Sequence, residues 1–199
     1  MIKWFLLVFM LSALLSCSKS EPTRLTNITG VIPDLTFELT DENGHKVTEK
    51  NYLGYTVAIF FGFTSCPDIC PTTMHRLSTI LNKIDTNASK VKVLFISVDP
   101  KRDSLDRLKS YTANFGNAFI GLRGDDGEIK NMAKRYHIAL GHGGLDAQGE
   151  GEIFHSGVVL VFDKKAKARL LVTQSSSSED VIFDLNNLVN SIIYRVFVN

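Results

Sequence analysis

Apolar and polar side chains follow one another along the chain in blocks that predict alternating strands and helices. Residues 35–39 alternate between the two kinds and lead to the turn sequence Asn43-Gly44, which predicts an opening β-hairpin. Residues 56–63 are a continuous apolar run of the length expected for a strand that is buried on both faces, and residues 91–98 predict another buried strand. The chain therefore begins with a hairpin and continues with strands that belong inside a sheet.

Apolar side chains recur at helical spacing in four further segments. These predicted helices span residues 71–84, 104–115 and 126–136 and a C-terminal segment that follows a capping box of Ser176 and Glu179. Shorter apolar runs predict strands at residues 119–122, 153–162 and 168–172. Residues 141–151 contain five glycines and few apolar side chains, so they are predicted to form a loop.

The order of these elements predicts a layered α/β domain. Strand, helix, strand, helix, hairpin and final helix is similar to the order of a thioredoxin fold. The chain resembles that fold with an added N-terminal β-hairpin and an inserted strand and helix. Domain organisation is then expected to be a leader at residues 1–16, a tether at 17–29 and a thioredoxin-like domain at 30–199.

The leader has the features of a secretory signal. Lys3 precedes an apolar run at residues 4–15, which is shorter than the roughly 20 residues that a membrane span needs. The run ends in Leu14-Leu15-Ser16-Cys17, which resembles a bacterial lipobox, so Cys17 is expected to be acylated. An ordinary signal with a chance cysteine is the alternative. We expect an extracytoplasmic domain, anchored by lipid on the periplasmic side of a bacterial membrane.

The charge balance excludes one class of partner. Removal of residues 1–16 takes away Lys3 and no acidic residue, which leaves 21 basic and 21 acidic side chains. No long basic run is present, so nucleic acid is not an expected partner.

Two cysteines carry the first chemical signal. Cys66 and Cys70 follow a predicted buried strand and begin a predicted helix. Side chains four residues apart on a helical turn lie about 5–6 Å apart, so two thiols at this spacing can converge on one metal ion or form a disulfide. A helix N-terminus also lowers thiol pKa values, so we expect thiolates to be accessible here. A plain stabilising disulfide is the alternative, although so short a loop adds little stability.

A third ligand must come from one of the five histidines. His45 is expected at the surface beside the hairpin turn and His137 at a helix end. His75 is expected on a solvated helix face, and an approach to the cysteines is the alternative. His142 is expected to be exposed in the glycine-rich loop, and closure over the site is the alternative. His155 precedes a strongly apolar run. In a thioredoxin fold, the segment that leads into that strand lies against the cysteine turn. His155 is therefore the leading candidate.

The donor set indicates the metal. Two sulfurs and one imidazole form a soft set of low coordination number, which suits Cu(I) and also accepts Cu(II). Zinc is the competitor, but a structural zinc site requires a fourth ligand.

Three ordered blocks stand out along the chain, namely Phe60-Phe-Gly-Phe-Thr-Ser-Cys-Pro-Asp-Ile-Cys-Pro71, Ser97-Val-Asp-Pro-Lys-Arg-Asp103 and Phe154-His-Ser156. Together they make the chain similar to the Sco/SenC family of copper-binding proteins. The resemblance covers residues 31–193 and implies that Cys66, Cys70 and His155 are copper ligands. It also implies a partner, because family members deliver copper to the binuclear copper centre of cytochrome c oxidase subunit II. That subunit or another copper protein is thus the expected partner.

The second block contains two acidic residues, for which the sequence predicts capping roles. Asp99 and Asp103 are expected to cap the loop and the helix that follow, and a partner contact by Asp99 is the alternative. The chain departs from the family pattern at Ser104-Leu105, where Thr-Pro is expected, in the turn at 163–167, which lacks the usual Pro and Gly, and in the glycine-rich loop. None of these departures falls on an expected ligand.

Two other functions compete with copper delivery. Some family members reduce the cysteines of subunit II, so a thiol–disulfide oxidoreductase with Cys66 as attacking thiolate and Cys70 as resolving thiol is the main alternative. The three residues between Cys66 and Cys70 argue against this function, because such enzymes usually have two residues between their cysteines. A peroxidase of the same fold ranks last, because Pro and Thr are expected seven and three residues before the reactive cysteine. Ile59 and Phe63 stand there before Cys66, and Phe63 and Pro67 before Cys70.

Overall fold

The computed structural model describes residues 23–84, 88–145 and 151–190. Its helices are α1 (Ile69–Leu81), α2 (Leu105–Ala113), α3 (Asp126–Arg135) and α4 (Ser178–Asn190), with short 3₁₀ helices at Glu49–Tyr52 and Ala88–Lys90. Its strands are β1 (Thr26–Asn27), β2 (Glu38–Asp41), β3 (Lys46–Thr48), β4 (Thr56–Gly62), β5 (Val91–Ser97), β6 (Phe119–Arg123), β7 (Leu140–Leu145), β8 (Gly151–His155), β9 (Val159–Phe162) and β10 (Ala168–Val172). No helix within these ranges is long and apolar enough to cross a membrane.

The main sheet has eight strands in the order β1-β10-β9-β4-β5-β6-β2-β3. Strands β4, β5 and β6 run parallel, whereas β9 lies antiparallel to β4. The predicted α/β class, the thioredoxin-like order and the hairpin of β2 and β3 are confirmed. Every residue of β4 is buried, as its continuous apolar sequence predicts.

The ends of β4 and β5 position the sequence blocks that contain the candidate site residues. The two strands are in register, with Gly62 at the end of β4 opposite Ser97 at the end of β5. The first and second sequence blocks therefore leave the sheet side by side. Ligand sites in open parallel sheets lie outside the carboxyl ends of the strands, which is where this pair of ends is found.

The glycine-rich segment differs from its prediction as a loop. Strands β7 and β8 pair antiparallel and form a separate two-stranded sheet, with Leu140 opposite His155. Strand pairing uses backbone groups, so a sequence with few side chains can still form a ribbon. The predicted strand at 153–162 is also divided, because β8 ends at His155 and β9 begins at Val159.

The predicted tether is folded in its described part. Thr26 and Asn27 pair with β10, and Leu25 and Ile28 are buried. The backbone N–H of Leu25 donates to the buried Asp184 carboxylate at 2.8 Å. This short edge strand shows no apolar periodicity, which explains why the sequence pattern missed it. Residues 17–22 lie outside the described part.

The cap of α4 lies one residue later than predicted. The Ser177 hydroxyl accepts a hydrogen bond from the Asp180 N–H at 3.1 Å. Ser176 instead accepts from the Thr173 N–H at 3.0 Å and closes the preceding turn. The prediction of a Ser176 and Glu179 box was wrong because four consecutive serines offer equivalent caps.

Candidate metal centre

The two cysteines lie at the junction of β4 and α1. Cys66 precedes the helix and Cys70 occupies its first turn, after the N-cap residue Asp68. The Asp68 side chain makes no capping hydrogen bond. The Cys66 sulfur accepts the Cys70 N–H at 3.4 Å instead. An N–H of the helix N-terminus is thus directed at one of the two sulfurs, as expected for thiols at the start of a helix.

Both cysteines are reduced and buried. Cys70 is 0% exposed and Cys66 is 9% exposed, so Cys66 is the more exposed of the two residues. A β-carbon added to Gly62 would lie 2.8 Å from the Cys70 sulfur and 2.8 Å from the Phe95 ring. Glycine at the end of β4 is therefore what leaves room for Cys70 beside the aromatic core.

The proton of the Cys70 thiol is held firmly. A hydrogen bond with the Cys66 side chain raises the pKa of Cys70 well above its usual range, and burial raises it further. A backbone hydrogen bond from Phe63 opposes these effects without reversing them. The sequence led us to expect accessible thiolates, and for Cys70 in the metal-free protein this expectation was wrong. A metal ion would have to displace this proton.

Asp103 fixes the turn that carries Cys66. Its carboxylate is fully buried and accepts the Thr64 N–H at 3.2 Å and the Thr64 hydroxyl at 2.5 Å. It also accepts the Ser97 hydroxyl at 2.6 Å. These bonds join the end of β4 to the end of β5. The expected capping role belongs to Ser104, whose hydroxyl accepts the Arg107 N–H at 3.2 Å.

Two arginines lie on the outer side of the same turn. Arg107 donates to the Thr64 hydroxyl at 2.6 Å and to the Ser65 hydroxyl at 2.8 Å. Arg102 forms an ion pair with Asp99, and its guanidinium lies 5.9 Å from the centre of the Phe63 ring. The expectation that Asp99 caps its own loop is confirmed, since Asp99 also accepts the Arg102 N–H at 3.4 Å.

The backbone brings the His155 segment to the start of α1. A β-carbon on Gly157 would lie 2.3 Å from the Ile69 side chain, which precedes Cys70 directly. The Ser156 N–H donates to the Ala139 carbonyl at 3.1 Å and so ties this segment to the chain before β7. The side chain of His155 lies outside the described part of the structure, as do that of His142 and the whole of Cys17.

The other histidines lie where the sequence placed them. His45, His75 and His137 are exposed, and the His45 ring contacts Asp41 at 3.3 Å. His137 has a φ of 56° and ends α3 in the left-handed conformation of a helix C-cap. Among the described side chains, no group of three His, Cys, Asp or Glu converges as a metal site. Cys66 and Cys70 are thus the described part of the expected ligand set.

A thioredoxin-like domain with a buried dithiol between its first central strand and the following helix defines the class of this protein. The SCO1/SenC family model matches residues 31–190, and the chain belongs to that family. The SCO2-like protein RT0576 of Rickettsia typhi is 37% identical over 132 residues, which are 66% of this chain and 65% of that protein. The match therefore spans slightly less than two thirds of that relative.

Solved structures of relatives agree with the fold. Arabidopsis thaliana ScoI with copper bound has a TM-score of 0.73 at 29% identity, and the match covers 80% of this chain and 99% of that one. Bradyrhizobium japonicum ScoI with copper bound has a TM-score of 0.70 at 32% identity, with coverage of 78% and 98%. Both of these relatives were solved with copper.

Proposed function

We propose that this protein binds copper through Cys66, Cys70 and His155 and delivers it to the binuclear copper centre of cytochrome c oxidase subunit II. The observation that carries the proposal is the reduced, buried pair of Cys66 and Cys70, whose side chains hydrogen-bond each other at the start of α1. Family membership and the copper-bound relatives support it.

The described donors fit copper. Two adjacent thiols in an apolar setting form a soft site, and soft sulfur ligands favour Cu(I). The site is nearly closed on the protein side, because Cys70 is fully buried and Gly62 brings its sulfur against the Phe95 ring. Copper would enter from the side of Cys66, which retains some exposure. The turn then supplies two ligands without rearrangement of the sheet.

His155 is proposed as the third ligand. The contact between Gly157 and Ile69 supports this role, because it holds the end of β8 near the residue that precedes Cys70. Three protein ligands leave room for a donor from a partner protein. A copper site that accepts a further donor suits transfer rather than storage.

The test is a copper titration of the reduced, detergent-solubilised full chain. One Cu(I) per chain should bind, with competition from a chromophoric Cu(I) chelator. Cys66→Ser and Cys70→Ser should each weaken binding by at least 1000-fold, because one of two thiolates is lost. Ser78→Ala, at the far end of α1, serves as a matched control with unchanged affinity. Retention of full affinity by Cys70→Ser would eliminate the site.

A second function has one specific observation in its favour. The reduced dithiol at a helix N-terminus is the arrangement that thiol–disulfide exchange requires, and Cys66, the more exposed residue, would be the attacking thiol. Reduction of oxidised subunit II by the protein, with loss of two thiols per disulfide, would support this activity. An absence of turnover with an intact Cys66 and Cys70 pair would eliminate it.

Attachment to a membrane is proposed through acylation of Cys17, with the domain on the periplasmic side. The lipobox at residues 14–17 supports it. Mass spectrometry of the protein expressed in bacteria should find a lipid-modified N-terminal cysteine. Cys17→Ser should move the protein from the membrane fraction and leave copper binding unchanged.

A further inference from the structure

The end of the sheet opposite the cysteines gathers three segments that are rich in lysine. The first residues of β4 and β5 are paired, so the segments 49–55 and 88–92 lie side by side. The Gly54 N–H donates to the Lys164 carbonyl at 2.9 Å and brings the turn 163–167 to the same end. We call these three segments the basic pole.

The basic pole has a strong positive charge. It contains six lysines and two acidic residues, a net charge of +4, although the chain without residues 1–16 has equal numbers of basic and acidic side chains. Both acidic side chains have partners, since Glu49 accepts a backbone N–H at 3.3 Å and Asp163 pairs with Arg169. Outside the pole, Asp34 pairs with Lys167. The lysines are Lys50, Lys90, Lys92, Lys164, Lys165 and Lys167.

The cysteine end of the sheet has the opposite sign of charge. The segments 63–68 and 98–104, which follow β4 and β5, contain three acidic and two basic residues. Each of the two strands has seven residues, so the two ends lie about 20 Å apart. The charge is therefore separated along the strands, and such a domain is oriented by the field of a charged surface.

The exposed apolar side chains lie at the basic pole as well. Among the side chains that the structure describes, the large hydrophobic ones that are exposed are Val31 (70%), Leu53 (52%) and Tyr55 (36%). The Lys92 ammonium lies 5.4 Å from the centre of the Tyr55 ring. Val31 precedes Leu35, whose N–H donates to the lysine-rich turn of the pole. Lysines around exposed apolar side chains are typical of surfaces that bind anionic lipid headgroups.

The length of chain before the folded domain allows the pole to reach a membrane. Thr26 lies opposite Leu171 in the antiparallel pair of β1 and β10, so Arg24 is about five strand residues, or roughly 17 Å, from the level of Ala168 at the pole. The chain from Cys17 to Arg24 spans at most about 24 Å when fully extended. A lipid on Cys17 and the basic pole can therefore contact the same membrane surface.

We propose that the basic pole docks on an anionic phospholipid surface and holds the Cys66 and Cys70 end away from it. The lysines then lie against the headgroups, and Leu53 and Tyr55 enter the interface. The dithiol points away from the lipid, where a copper acceptor can reach it. This inference rests on the proposed attachment to a membrane and is independent of copper binding.

Tryptophan fluorescence of the acylated full chain in vesicles with brominated phospholipid tests this orientation. The chain has one tryptophan, Trp4, so the signal of the unaltered protein is subtracted. Leu53→Trp reports on the pole and Lys101→Trp on the cysteine end. With phosphatidylglycerol present, Leu53→Trp should be quenched at least about twofold more, because interfacial side chains reach about 5–10 Å into the membrane. The difference should vanish in pure phosphatidylcholine and at about 1 M salt, where the screening length is about 3 Å.

Charge reversal provides the matched control. Lys50→Glu with Lys165→Glu, both at exposed positions, should reduce the quenching of Leu53→Trp to the level of Lys101→Trp. Lys101→Glu with Lys130→Glu changes the net charge equally outside the pole and should leave the quenching unchanged. Equal quenching of the two probes, stronger quenching of Lys101→Trp, or insensitivity to the first charge reversal would overturn the inference. Release of the unaltered protein from phosphatidylcholine vesicles would overturn the proposed lipid anchor instead, and the pole would be judged from the anionic vesicles.

Discussion

The dithiol half of the proposed site follows directly from a central strand of the eight-stranded sheet, whereas the His155 half belongs to a separate two-stranded sheet. The turn with Cys66 is joined to β4 and β5 through Asp103, and Cys70 is packed against the core through Gly62. The end of β8 reaches α1 through the contact of Gly157 with Ile69. A two-stranded ribbon has little stability of its own.

This difference suggests that the dithiol half of the site retains the copper ion, whereas the His155 half controls its release. The sulfurs are fixed by the same contacts that stabilise the domain, so a change near them should alter stability and copper binding together. A change in the His155 half should alter copper binding with little effect on stability. The four predictions below test this separation, from the largest effect on stability to the smallest.

Asp103→Asn should have the largest effect. The amide cannot accept all the hydrogen bonds that the carboxylate receives from Thr64 and Ser97, and hydrogen bonds to a buried charge contribute about 1.5–3 kcal/mol each. We expect the free energy of unfolding to fall by about 3 kcal/mol in urea denaturation, with weaker Cu(I) binding. Asp106→Asn, on the exposed first turn of α2, is the control and should change neither. Equal stability of the two variants would show that the network does not hold the turn.

Gly62→Ala should have the second-largest effect on stability. The added methyl group would overlap the Cys70 sulfur and the Phe95 ring, both at 2.8 Å, and overpacking of a core costs about 1–3 kcal/mol. Stability should fall by that amount, and Cu(I) affinity should fall because the sulfur is displaced. Gly127→Ala, in helix α3, is the control, since its β-carbon meets only the Asp125 side chain, at 3.2 Å. An unaltered Cu(I) affinity in Gly62→Ala would argue that Cys70 is not a ligand.

Gly157→Ala tests the His155 half of the proposed site. Its methyl group would meet the Ile69 side chain at 2.3 and 3.0 Å and the Gln174 amide nitrogen at 3.1 Å. These are flexible side chains rather than backbone, so stability should fall by about 1 kcal/mol, the low end of the cost of overpacking. Cu(I) affinity should nevertheless fall about tenfold, because the segment after His155 is pushed from α1. Gly141→Ala, on β7 with open space around it, should leave both unchanged. A stability loss as large as that of Asp103→Asn would remove the distinction between the halves.

Arg107→Lys should have the smallest effect. The guanidinium donates to two hydroxyls of the cysteine turn. Lysine keeps the positive charge but cannot donate both hydrogen bonds with the planar geometry of arginine. Exposed contacts of this kind contribute less than about 1 kcal/mol. The free energy of unfolding should therefore change by less than that, with Cu(I) affinity within twofold. A large loss of affinity would place Arg107 in the metal site itself.

The buried strands and the cysteine spacing could be predicted from the sequence because they are local patterns. The run that forms β4 and the helical start after Cys66 are examples. Asp103 could not be assigned in this way, because its bond to Thr64 joins residues 39 positions apart and its neighbour Ser104 is the better cap. Strand β1 has only two residues, and β7 consists largely of glycine, so neither strand shows an apolar pattern that would predict it from the sequence.

X-ray absorption of the copper-loaded, reduced full chain is the most direct test of the central claim. The account predicts two sulfur neighbours and one imidazole nitrogen around Cu(I), with the imidazole contribution absent in His155→Ala and both sulfurs retained. A spectrum with fewer than two sulfurs in the unaltered protein would contradict it. An imidazole contribution that persists in His155→Ala would equally show that the third ligand has been wrongly assigned.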